Sequence, residues 1–137
     1  MASKLGTVPV NSILDQSFGA AAYTPPATVF VALFTTAPTD YGAGSGGAEA
    51  TGGSYARSSV TNNLTNFPAA ASRAKANGTA IAFTTPTAAW GTVVAFGYYS
   101  AVTAGTWLGG GDLTTNQTIS SGNTVQFAIG ALTITLP

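Results

Sequence analysis

Thr28-Val29-Phe30-Val31-Ala32-Leu33-Phe34 is the stretch on which the fold turns. It is short, apolar and rich in β-branched and aromatic side chains, with Pro25-Pro26 before it and Pro38 after it. Such side chains pack well on a pleated surface, and proline ends regular structure because it has no amide donor. An apolar run without alternation is one buried on both faces. The stretch therefore predicts an internal strand of a sheet.

Downstream, Ala37 to Gly53 holds Pro38, Asp40 and six glycines with few apolar side chains, which predicts a long surface loop. Tyr55 to Leu64 alternates as a strand does. Arg73 to Phe83 reads as two strands around Asn77-Gly78, because both turn residues tolerate positive φ. Val93 to Ser100, Thr106 to Leu108 and Thr114 to Ile119 add further strands. At the end of the chain Val125, Phe127 and Ile129 alternate in one phase, and Leu132, Ile134 and Leu136 in the other. Gly130-Ala131 sits at the change of phase, so a bulge or sharp bend there directs both apolar sets into one core.

Upstream, Val10, Ile13, Leu14, Phe18 and Ala21 recur at spacings of three and four. That predicts a short helix near residues 10–22, capped by Asn11 or Ser12 and stopped by Gly19 and Pro25-Pro26. Residues 1–9 read as an extended N-terminal arm. Residues 10–137 then form one all-β domain, a β-sandwich or jelly roll.

Composition narrows the function. Charged residues make up 6% of the 137, against about 25% in ordinary soluble domains, and the formal net charge is zero. Solvation must come from hydroxyl and amide groups, and copies with so little charge repel one another weakly. The expectation is a protein used in the assembled state, with an extracellular domain of hydroxyl-rich surface as the alternative. Lys4, Arg57, Arg73 and Lys75 are too few to neutralise a nucleic acid. No apolar stretch is long enough for a secretory signal or a membrane span, so neither membrane nor export is expected.

The chemistry available is also narrow. Without histidine or cysteine there is no imidazole base, no thiolate nucleophile and no thiolate metal site. Asp15, Asp40, Glu49 and Asp112 are scattered, and no catalytic, cofactor-binding or metal-ligating residue is assigned. Gly42, Gly44 and Gly47 match a dinucleotide-binding spacing, but no helix follows to hold a pyrophosphate. Arg57 is expected to pair with Asp40 or Glu49. Trp90 reads as core, while Trp107 reads equally as core or interface. The candidate assembly contacts are Leu5, Val8 and Pro9 on the arm, Tyr41, Tyr55 and Arg57 around the glycine-rich loop, and Trp107.

Four stretches, taken in order, carry a resemblance. They are Ala22-Tyr23-Thr24-Pro25-Pro26-Ala27 running on through Phe34 to Asp40, Gly52-Gly53-Ser54-Tyr55-Ala56-Arg57, Phe83-Thr84-Thr85-Pro86 through Trp90 to Val93, and Gly122-Asn123-Thr124-Val125 through Gly130 to Ile134. Together they resemble a family of small tailed-bacteriophage virion proteins described as tail-fibre-like, minor tail or capsid-decoration proteins. The chain departs from that pattern at Glu49-Ala50-Thr51 and over Tyr98 to Gly111, where it is richer in glycine and alanine. The resemblance implies a structural role in the virion, synthesis in the host bacterial cytoplasm, and no catalytic residues. The first expectation is a homo-oligomeric decoration, or cement, protein that binds the major capsid protein and stabilises the shell. The alternative is a tail or tail-fibre subunit contacting other virion subunits, with Trp107, Tyr98, Tyr99 and the glycine loop as a surface for host glycans.

Overall fold

A computed structural model of the chain describes residues 3–136. The elements run β1 (Ser3–Leu5), α1 (Thr7–Ser17), β2 (Thr28–Thr36), β3 (Ala48–Glu49), β4 (Ser58–Thr61), β5 (Ala74–Ala76), β6 (Ile81–Ala82), β7 (Gly91–Tyr99), β8 (Trp107–Ile119), β9 (Gln126–Phe127) and β10 (Thr133–Thr135). The domain is all-β, as its turn-punctuated apolar runs predict. A six-stranded antiparallel sheet has the order β1-β8-β7-β2-β3, with β4 also paired to β2. The second layer is two two-stranded ribbons, β5 with β10 and β6 with β9.

β2 lies inside the sheet because both of its edges are used. Phe30 to Phe34 pair with Tyr99 to Ala95 on one side, and Thr28 to Val31 pair with Thr61 to Ser58 on the other. Its side chains divide between two cores. Val29, Val31 and Leu33 join Trp90, Val93, Phe96, Tyr98, Val125, Phe127 and Leu132 beneath the ribbons. Ala32 and Phe34 face the opposite way and pack with Tyr41, Ala95 and Trp107 beneath the glycine-rich loop. An uninterrupted apolar run is what a strand with a core on each side requires.

The two phases at the chain end do meet in one core: Val125, Phe127 and Leu132 are buried and Ile134 packs against them, while Ile129 remains exposed. The device is a turn with Gly130 at φ 80°, which divides the segment into β9 and β10 on different ribbons.

Other boundaries differ from expectation for identifiable reasons. The arm is not free: Ser3 to Leu5 pair with Gly111 to Gly109, and the helix begins at Thr7 rather than after Asn11 or Ser12. Gly6 occupies the N-cap without a side-chain bond, and the loop supplies the missing acceptor, the Thr7 amide donating to the Gly42 carbonyl at 2.8 Å. Pro9 costs nothing in the first turn, where amides lack intrahelical partners anyway. Residues 1–2 of the expected arm, and residue 137, lie outside the described residues. The strands expected over Thr106–Leu108 and Thr114–Ile119 are one strand, β8, which runs through Gly109-Gly110-Gly111.

The tight turn expected at Asn77-Gly78 is absent. β5 and β6 pair with other partners, and neither Asn77 nor Gly78 takes positive φ. The turn sits instead at Ser72-Arg73, with φ values of 51° and 62°, where Ala71 and Ala74 exchange backbone hydrogen bonds of 3.1 and 2.9 Å. Two positive-φ residues in succession give the hairpin turn that suits strand twist. Asn77 is committed elsewhere. Buried to 1% exposure, its amide nitrogen donates to the carbonyls of Thr79 and Ala128, and its side-chain oxygen accepts from the Leu132 amide. It thus ties the segment after β5 to the turn between β9 and β10.

Asn77→Ala leaves the Leu132 amide and the Thr79 carbonyl without the side chain, while the Ala128 carbonyl keeps the Ala131 amide, and should lower the unfolding free energy by about 3 kcal/mol in urea denaturation. A loss below about 1 kcal/mol would mean that water replaces the side chain.

Candidate functional site

Trp107 opens β8 and is 8% exposed. Its ring meets Phe34 edge-on at 6.0 Å between centroids and Tyr99 edge-on at 5.2 Å. The indole N–H donates to the Tyr41 carbonyl, and the Tyr41 hydroxyl donates to the Asp112 carboxylate. Burial and that carboxylate both push the Tyr41 hydroxyl up from its ordinary pKa. Glycines form the walls. A Cβ on Gly44 would stand 2.6 Å from ring atom Cε3, one on Gly97 2.6 Å from Cη2, one on Gly110 2.7 Å from Cη2, and one on Gly6 3.0 Å from Cδ1. Gly44 also has φ +68°. Gly44 in the loop, Gly97 on β7 and Gly110 on β8 are thus close approaches to one ring.

Arg57 is held as firmly. Its Nε and Nη2 grip Glu49 at 2.9 and 2.8 Å, and Nη1 donates to the carbonyls of Ala101 and Ala104 at 3.0 and 2.7 Å. The guanidinium lies 3.6 Å from the centroid of the Tyr99 ring. The Tyr55 hydroxyl donates to Glu49 Oε2 at 2.9 Å and accepts from the Leu33 amide at 3.0 Å. The hydrogen bonds to Glu49 hold the Arg57 pKa up, against the burial that would lower it. Of the two expected partners, Glu49 is therefore the one used. Asp40 instead accepts from the Gly42 amide within its own loop, at 2.8 Å.

Tyr41, Tyr55, Arg57 and Trp107 thus make their contacts inside the chain. The aromatic surface considered for glycans is not assembled either: Tyr98 is buried against Phe67 and Phe96, and Tyr99 has Arg57 on its face and Trp107 against it. Trp90 is core, donating from Nε1 to the Gly53 carbonyl and meeting Tyr55 and Phe83 edge-on. The carboxylates of Glu49, Asp40 and Asp112 each engage a different partner. Among the described residues no group of three His, Cys, Asp or Glu is placed to hold a metal ion, and no helix is long and apolar enough to cross a membrane.

The arm residues lie elsewhere. Leu5 and Pro9 line an open groove of about 370 Å³, and Val8 points outward. Helix α1 and Tyr23 form one side, the β5–β10 ribbon the other, with Val29, Phe67 and Leu108 among the lining and Arg73 and Lys75 at the ribbon. Beside the groove the apolar stripe of α1 is largely uncovered. Leu14 is 51% exposed and Phe18, the C-cap residue, 88%, while Pro9 is the helix's buried residue. The spacing of these residues reveals the stripe in the sequence. What spacing cannot reveal is that Leu14 and Phe18 stand exposed among the described residues.

The family model described as podophage GP4 fiber I protein gp80 matches residues 4–135. No curated protein matches the chain.

If close approach to the ring is what demands glycine, Gly97→Ala should cost about 2 kcal/mol in the native chain, in the range of an overpacked core. In a Trp107→Leu background, which removes the indole, that cost should fall to the smaller part set by Phe34, whose ring a Cβ on Gly97 would meet at 3.0 Å. Equal costs in the two backgrounds, measured by urea unfolding, would assign the glycine to strand geometry instead.

Proposed function

Because the chain belongs to the podophage GP4 fiber I protein gp80 family, and so is a structural protein of a phage virion, we propose that it serves as a subunit of a tail fibre and works in the self-assembled state. The observation that carries this reading is the exposed apolar helix beside an apolar groove, on a chain with almost no charge. Contiguous apolar surface of this kind marks a place where another molecule sits.

The role is mechanical. A standard interface hides roughly 800 Å² per partner, and symmetry repeats each contact, so an assembly resists opening without one dominant bond. The polar side chains best suited to chemistry are turned to internal use: Arg57 and Glu49 clamp the loop between β7 and β8, and Tyr41 braces Trp107. The virion subunits it touches are first of all copies of itself. Decoration of the major capsid protein is the competing placement, and the family description favours the fibre over it.

Gold-labelled antibody against the folded chain, viewed on intact virions by electron microscopy, separates the two. Label along appendages of the tail is expected. Label spread over the capsid faces would overturn the fibre reading in favour of decoration.

A further inference from the structure

We infer that the groove between α1 and the β5–β10 ribbon receives the exposed end of helix α1 from a second copy of this chain, with Leu14 and Phe18 as the inserted side chains and Asp15 set against Arg73 and Lys75. The inference rests on the self-assembly in the reading above and specifies its contact.

The chain carries both halves of such a joint. The groove is apolar, lined by Val29, Phe67, Leu108 and Ile134, with Arg73 and Lys75 at the ribbon. The helix offers Leu14 and Phe18 to solvent. It cannot fill its own groove with them, since Pro9 and Ile13 already form the wall and Leu14 and Phe18 lie further round the helix. The joint is therefore between molecules, and it links two different surfaces. Contacts of that type close into rings or run on as filaments, the two geometries from which a fibre is made.

Charge selects the occupant. Among the described residues the ion pair is Arg57 with Glu49, which leaves Arg73, Lys75 and Asp15 with no ion-pair partner. Asp15 follows Leu14 and stands three residues before Phe18, so it travels on the same end of the helix. An anionic apolar helix end meeting a cationic apolar groove is complementary, and within a neutral chain the same molecule supplies both.

Arg73 adds a separate sign. Both Ser72 and Arg73 adopt the left-handed conformation, at φ 51° and 62°, in a turn that Asn and Gly adopt more easily. The strain places a cation beside the groove. Arg73→Gly should accordingly raise the unfolding midpoint of the chain while weakening its association, a divergence that a purely structural arginine would not produce.

Sedimentation velocity on the purified full chain tests the joint. The native protein should be oligomeric, and Leu14→Ser with Phe18→Ser should weaken association by at least about 30-fold, the effect of losing a principal interface residue, with unchanged circular dichroism. Asp15→Lys should weaken it too, and adding Arg73→Glu and Lys75→Glu should restore it. A monomeric native chain, an oligomer that survives the serine variant, or a charge swap that restores nothing would overturn the proposal. Gold label on the capsid would overturn the fibre placement alone, leaving the sedimentation result to judge the joint.

Discussion

The slot around Trp107 is the constraint to which the helix, the long loop and the open face of the sheet all answer. Gly44 in the long loop, Gly97 on β7 and Gly110 on β8 each leave room for the same ring, while Gly6 before the helix passes against the backbone of Trp107 and Leu108. Those segments then have little freedom to move independently. The Gly6 amide reaches the Leu108 carbonyl and the Thr7 amide reaches Gly42, so the start of α1 is fastened to both β8 and the loop. Tyr99 meets the indole edge-on and presents its face to Arg57, which carries the contact on to Glu49, Tyr55 and β2. One aromatic side chain therefore organises the face of the sheet that the ribbons leave open.

Scarcity of charge has a counterpart inside. Arg57 and Glu49 form a bidentate pair, and Nη1 of the arginine donates to two backbone carbonyls. Asn77 does by hydrogen bonding what a neutral interior needs, joining three backbone groups. Among the described residues no buried side-chain nitrogen or oxygen lacks a partner. A chain that solvates itself with threonine, serine and asparagine has also placed one of its polar side chains where burial makes a hydrogen bond count most.

Legibility followed the range of the information. The internal position of β2 and the merging of two apolar phases at the chain end were readable, because face and phase are properties of neighbouring residues. The Asn77-Gly78 pair does not form its preferred turn, since that local preference yields to a long-range demand for a buried amide. β8 runs unbroken through Gly109-Gly110-Gly111, since glycine in a row signals a break unless the backbone and ring that crowd it are known. The Arg57 pair was legible and Trp107 half so. The exposed helix was not: periodicity shows that a stripe seeks cover, and is silent on which molecule provides it.

Ser3 and Thr135 lie together, their hydroxyls 3.1 Å apart and the Thr135 hydroxyl donating to the Ser3 carbonyl at 2.8 Å. The junction fastens β1 of the six-stranded sheet to β10 of the ribbon layer through hydroxyl groups and a carbonyl. Salt screens ion pairs and leaves contacts between neutral groups almost untouched, so this seam between the layers is one that high ionic strength does not loosen.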